Sequence, residues 1–190
     1  MDARPNNALQ QESYTLNVGD MKLIVATEAD ISHLMSWFPT VRSVGIWGGP
    51  RFRYPFTVET FFEDVCWQQI DSYRLVDPAG DMLAFGQIYE RYGRVNLARL
   101  VVSPNRRRQG IGRQLVALLM GKGRESFPLQ EYSLYVCKDN YPAKACYAGM
   151  GFEEQQMPVG DELADTCIYM TRPIVHQADL ESRRRVKHAP

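Results

Sequence analysis

Residues 100–113 read LVVSPNRRRQGIGR, and the fold hinges on them. Leu100, Val101 and Val102 form the end of an apolar strand, and Ser103-Pro104 is its exit. A basic stretch, Arg106, Arg107 and Arg108, leads into Gln109, Gly110, Ile111, Gly112 and Arg113. Ile111, Leu115, Leu118 and Leu119 then keep helical spacing. A strand that runs through a glycine-bearing loop into a helix makes an anion site. The first N–H groups of a helix have no partner within it and point outward. The helix dipole adds partial positive charge there, and glycine lets the backbone approach a ligand closely. A pyrophosphate suits such a turn, and neighbouring arginines add charge-assisted contacts. For the arginine run alone, a solvated basic loop is the plainer reading. A nucleotide-binding P-loop is excluded, because no Gly-Lys-Ser/Thr follows. A dinucleotide-binding turn lacks its glycine spacing, and its strand would open a βαβ unit.

Outward from the turn, the chain alternates strands and helices. On the N-terminal side, Tyr73–Val76, Met82–Glu90 and Val95–Val102 read as three consecutive strands joined by turns at 77–81 and 92–93, an antiparallel meander. Before them come a short strand, Lys22–Ala26, and two helices. One is capped by Thr27 with Asp30 in capping-box position and runs to about Trp37; the other is capped by Thr57 and reaches about Gln69. Residues 40–56 read as a long loop with Gly45, Gly48, Gly49, Pro50 and Pro55. On the C-terminal side follow a strand Glu131–Cys137, a short helix opened by Asn140, and two last strands at 152–157 and 166–170. A strand, a crossover helix and another strand imply a parallel pair beside the meander. The expectation is one mixed α/β domain over residues 21–173, its central sheet flanked by about four helices. An N-terminal arm covers 1–20 and a polar tail 174–190.

Composition narrows the function. The chain has 190 residues and a formal net charge of zero, so bulk attraction to nucleic acid or to an anionic membrane is not expected. No apolar run approaches the ~20 residues that span a bilayer, and the start, MDARPNNALQQESY, carries no secretory-type apolar stretch. Cys66, Cys137, Cys146 and Cys167 form no CxxC pair and no zinc-like spacing, so reduced thiols in a cytoplasmic protein without a metal are expected. His33 reads as a packing histidine, and the run Arg183 to His188 as a solvated tail.

The 100–113 segment resembles motif A of the GNAT acetyltransferases, Q/R-x-x-G-x-G/A, filled by Arg107, Gly110 and Gly112. A second stretch, Asn140-x-x-Ala143-x-x-Cys146-Tyr147-x-x-x-Gly151-Phe152, is similar to that family's later motif, N-x-x-A-x-x-[LF]-Y-x-x-x-G-F, with Cys146 in place of a larger apolar residue. The likeness spans roughly Met21 to Arg172.

The resemblance implies the GNAT acyl-CoA N-acyltransferase fold, acetyl-CoA as donor and a primary amine as acceptor, the amine attacking the thioester directly in a ternary complex. Backbone groups of Leu100, Val101 and Val102 would bind the pantetheine arm, and one N–H there would polarise the thioester carbonyl. Residues Arg107, Arg108, Gln109, Gly110, Ile111, Gly112 and Arg113 would hold the pyrophosphate. Asn140, with Ala143, would contact the donor, and Tyr147 would act as general acid toward the leaving thiolate. The family's usual glutamate positions are Asn96 and Tyr135 here, and neither is a base. Glu90 and Asp139 are the nearest carboxylates by topology. A water chain, or an amine that arrives neutral, are the alternatives.

On the acceptor side, nine of the 21 aromatic residues lie between Trp37 and Trp67. Phe61, Phe62 and Trp67 sit at helical spacing and read as core. Trp47, Arg51 and Phe52 are candidate acceptor contacts, and Arg51 with Arg53 would suit an acceptor bearing a carboxylate. Two other functions compete with a small-molecule or peptide acetyltransferase. One is a protein N-terminal acetyltransferase; the other is a catalytically weak acyl-CoA-binding module, which the absent glutamates favour. Edge strands of such a sheet often pair between subunits, so a homodimer is expected.

Overall fold

The computed structural model describes residues 16–18 and 20–175. In chain order the strands are β1 (Leu16–Val18), β2 (Met21–Val25), β3 (Asp71–Val76), β4 (Met82–Arg91), β5 (Arg94–Val102), β6 (Glu131–Cys137), β7 (Glu153–Gln155) and β8 (Cys167–Pro173). The helices are α1 (Glu28–Met35), α2 (Val41–Gly48), α3 (Val58–Asp64), α4 (Ile111–Ser126) and α5 (Tyr141–Ala148). All strands join one sheet in the order β1-β2-β3-β4-β5-β6-β8-β7. β5 and β6 are its parallel pair, and α4 is the crossover between them. The mixed α/β expectation holds, with the meander and the parallel pair as read.

Two elements depart from expectation. The last residues of the N-terminal arm form β1, which pairs with β2 through Leu16↔Leu23. Three residues are too few to carry a period, so no pattern marked them. Residues 40–56 are not all loop either, since α2 occupies 41–48 and brings the helices among the described residues to five. Its start is capped chemically: the Ser43 N–H donates to Thr40 Oγ1 at 3.1 Å, and the Ser43 hydroxyl to the Thr40 carbonyl at 2.7 Å. The glycines at 45 and 48 masked that Thr40-x-x-Ser43 signal. The other caps stand as read. The Thr27 N–H donates to Asp30 Oδ2 at 2.7 Å, and the Thr60 N–H to Thr57 Oγ1 at 3.2 Å. α3 ends at Asp64 rather than near Gln69, because Cys66 takes a left-handed backbone with φ 53°. The basic run Arg183 to His188 lies outside the described residues.

The sheet buries both faces. On one, Ile111, Leu115, Leu118 and Leu119 of α4 pack on Leu75, Ile88, Val95 and Leu97. Each fully buried leucine contributes on the order of 2 kcal/mol. Gly86 and Gly123 let the helix approach: a Cβ on Gly86 would come 2.6 Å from Leu119, and one on Gly123 would come 2.6 Å from Val95. On the other face, α1–α3 form an aromatic layer in which Phe38, Trp47, Phe52 and Phe61 pack over Phe85. Phe61 is fully buried core, while Phe62 and Trp67 pack half-buried against that layer.

Candidate active site

Strand alternation and one irregularity build the site. Along β4, Gly86 faces α4, so Phe85, Gln87, Tyr89 and Arg91 face the α1–α3 side. β5 pairs with β4 as Phe85↔Val101 and then Gln87↔Ala98, which leaves one extra residue in β5. The bulge falls at Arg99, whose φ is 49°. It turns both Ala98 and Arg99 onto the α1–α3 side. β5 also parts from β6: their parallel register runs only from Val95↔Tyr132 to Leu97↔Leu134. Beyond Leu97, the β6-facing edge of β5 has no strand partner among the described residues, and the two strands open a wedge.

A cavity of about 420 Å³ lies at this wedge. Asn96, Ala98 and Arg99 of β5 form one wall, and Tyr135 and Cys137 of β6 another. Trp47, Arg51 and Phe52 close it from the α2 side, so all three expected acceptor contacts line it. The Trp47 indole N–H donates to the Arg99 carbonyl at 2.7 Å and its ring stacks on Phe38 with centroids 4.3 Å apart.

The cavity's charges are mostly paired. Arg51 meets Glu162 across the rim, and the lining carboxylates Asp64 and Glu63 bind Arg53, which is not itself in the lining, at 2.6 Å and 2.7 Å. Arg51 and Arg53 are therefore already occupied, which corrects the expectation that they await an acceptor carboxylate. Asp161, which no motif flagged, stands behind Tyr135. Its Oδ2 accepts from the Tyr135 hydroxyl at 2.7 Å and from Arg91 at 2.8 Å, and its Oδ1 from the Leu163 N–H at 2.9 Å. Burial alone would raise the Asp161 carboxyl; these donors outweigh it and hold it below the usual carboxylate range. The Tyr135 phenol is pushed up, by burial and by its bond to that carboxylate.

Neither expected carboxylate reaches the cavity. Glu90 is exposed and, by alternation with Tyr89 and Arg91, faces the α4 side of the sheet, which removes it as a base. Asp139 pairs with Arg42 at 2.6 Å on the surface, tying the turn after β6 to α2. Asn96 is buried and accepts from the Ser133 hydroxyl at 3.2 Å.

The donor side keeps its shape. Gly110, at φ 78°, caps α4 without a side chain over its N-terminus. The Gln114 N–H bonds the Gly110 carbonyl at 3.2 Å, which leaves Ile111, Gly112 and Arg113 ahead of the first intrahelical acceptor. Among the described residues, Arg106, Arg107, Arg108 and Arg113 join no ion pair. Arg107 reaches back to the Val102 carbonyl at 3.4 Å. This turn and the unpaired edge of Leu100 to Val102 fit a pyrophosphate and an amide-bearing arm. Asn140 caps α5, its Oδ1 accepting from the Ala143 N–H at 3.4 Å, and Ala143 packs half-buried on the core. Tyr147 packs against the same core beside Phe152, with ring centroids 6.3 Å apart. Burial pushes its phenol up, and it does not line the cavity. Among the described residues no cluster of His, Cys, Asp and Glu could hold a metal ion, and no helix is long and apolar enough to cross a membrane.

A family model, the acetyltransferase (GNAT) family, matches residues 42–152, more than half of the chain. Two solved structures share the fold. A spermidine N-acetyltransferase from Vibrio cholerae, in complex with CoA and spermine, is 14% identical and superposes with a TM-score of 0.63 over 81% of this chain and 95% of that one. A dodecameric structure of spermidine N-acetyltransferase from the same organism is 14% identical, with a TM-score of 0.59 over 86% and 98%. The chain belongs to the GNAT family of acetyltransferases. It is an N-acetyltransferase and its donor is acetyl-CoA.

Proposed function

We propose that this enzyme acetylates a primary amine of a small molecule or peptide, bound in the wedge cavity between β5 and β6. The wedge carries the reading, because it brings the acceptor-side residues to the edge of β5 where the donor arm would lie. The pyrophosphate is held at the start of α4 by backbone N–H groups and by Arg107, Arg108 and Arg113. N–H groups near Leu100 polarise the thioester carbonyl. The amine attacks directly.

A deprotonated amine is needed, and Asp161 is a poor proton acceptor because three donors already saturate it. The acceptor therefore loses its proton to solvent, or arrives neutral. Tyr147 supports the departing sulfur. A thiol has pKa about 8.5, so a raised phenol acts chiefly as a hydrogen-bond donor as charge develops there. A rim closed by Arg51 and Glu162 favours a small acceptor over a protein N-terminus. Pairing of subunits through an edge strand remains our reading of the assembly; one neighbour is itself a dodecamer.

The test is amine-dependent release of free thiol from acetyl-CoA. Tyr147→Phe should lower kcat by about tenfold or more while the KM for acetyl-CoA stays within about twofold. CoA binding without thiol release across a broad amine panel would instead favour a non-catalytic binding module.

A further inference from the structure

Arg99 is the cavity arginine that the rest of the wall leaves without an ion-pair partner. The other two arginines of the lining, Arg51 and Arg91, each face a carboxylate within ion-pair distance; among the described residues Arg99 has none. Its guanidinium is held by two neutral acceptors, Gln87 Oε1 at 2.8 Å and the Asp64 carbonyl at 2.7 Å. Gln87 is buried and fixed in turn, its Nε2 donating to the Val65 carbonyl at 3.0 Å and to Ser72 Oγ at 2.8 Å. The Arg99 carbonyl is pinned by Trp47. So the fork is preorganised, and the Arg99 Nε is buried with no hydrogen-bond partner among the described residues.

A half-buried cation with no carboxylate in direct ion-pair contact is costly. Arg99 is also held at positive φ, a backbone conformation that strains a residue with a side chain. The nearest carboxylate, Asp64, feels the Arg99 charge but offsets it only in part, because its oxygens are taken up elsewhere. Asp64 is engaged by Arg53 through its backbone N–H and its guanidinium, and Glu63 stands at the exposed rim. The same pairing leaves no free carboxylate in the wall for a second ammonium.

Resting on the transferase reading above, we infer that the acceptor is an amine that also bears a carboxylate, and that Arg99 receives that carboxylate. The anion supplies the ion-pair partner the wall lacks, and the bulge sets Arg99 beside the edge of β5 where the amine attacks. Arg99 is thus a specificity-determining residue. A polyamine is disfavoured, since its further ammonium groups would meet Arg99 and carboxylates that are already paired.

The experiment measures thiol release from acetyl-CoA with matched acceptors. Glycine, leucine and phenylalanine are each compared with the amine lacking the carboxylate: methylamine, isoamylamine and phenethylamine. Spermidine is included. For at least one pair, kcat/KM should favour the amino acid by about tenfold or more. In Arg99→Gln that advantage should fall to about twofold or less through KM for the acceptor, with KM for acetyl-CoA unchanged, and Arg99→Lys should recover part of it. Should Arg99→Gln not fold, the wild-type comparison decides alone. Spermidine or the carboxylate-free amines working as well as the amino acids in every pair would overturn the inference and leave the transferase standing. Thiol release with none of them would count against the small-amine acceptor proposed above.

Discussion

Gly123 shows how a single residue weighs helix propensity against packing. Alanine inside a helix is normally favoured over glycine by about 1 kcal/mol. Here its Cβ would meet Val95 Cγ1 at 2.6 Å, and Val95 is a fully buried, branched side chain with little room to yield. Overpacking of that kind costs about 1–3 kcal/mol. Gly123→Ala should therefore lower the urea midpoint rather than raise it; a raised midpoint would show that the interface gives way. Asn96 and Tyr135 were legible as absent bases. Asp161 was not, because it lies in a turn distant in sequence, and only the fold sets it against Tyr135 and Arg91. Asp161→Asn should destabilise the protein by about 3 kcal/mol in urea unfolding, since it leaves Arg91 half-buried without its counter-charge.

Among the elements, α4 and its glycine turn were legible because three signals agreed: an apolar strand, glycines, and helical spacing after them. α5 was legible from its Asn140 cap. α2 was hidden by glycine content, although Thr40 and Ser43 carried a cap signal. The bulge in β5 could not be read. One extra residue in a strand leaves no mark in a stretch such as Ala98 to Val102, where a lone Arg99 interrupts apolar residues, and it is paired tertiary structure that exposes it. This is why the expectation of a carboxylate-binding arginine fell on Arg51 and Arg53. Their charges were visible, but their partners Glu162, Glu63 and Asp64 were not. The Arg51–Glu162 pair is largely solvent-exposed, so Glu162→Gln should change stability by less than about 1 kcal/mol. Its effect should instead appear as turnover of bulkier amines, measured across acceptors of rising size.

For the molecule as a whole, the meander and the parallel pair were set by element order, while the wedge came from where β5 and β6 stop pairing. Stability should follow the paired carboxylates. Burial tends to raise Asp64, but the hydrogen bonds from Arg53 outweigh it, and Asp64, like Asp161, stays below its ordinary value. Groups lowered by folding stabilise fully above their unfolded pKa of about 3.9, and that contribution is lost as pH falls through the folded values. Urea midpoints should thus hold nearly level between about pH 7 and 5 and drop below about pH 4; a loss beginning above pH 5 would contradict the assignment.

The central claim is acetyl transfer from CoA to an amine in the wedge. Its most direct measurement follows a deuterated acetyl group by mass spectrometry, starting from labelled acetyl-CoA with an amino-acid acceptor. The account predicts the label on the acceptor nitrogen in step with free CoA. Label that remains on CoA, or that leaves only as acetate, would contradict it.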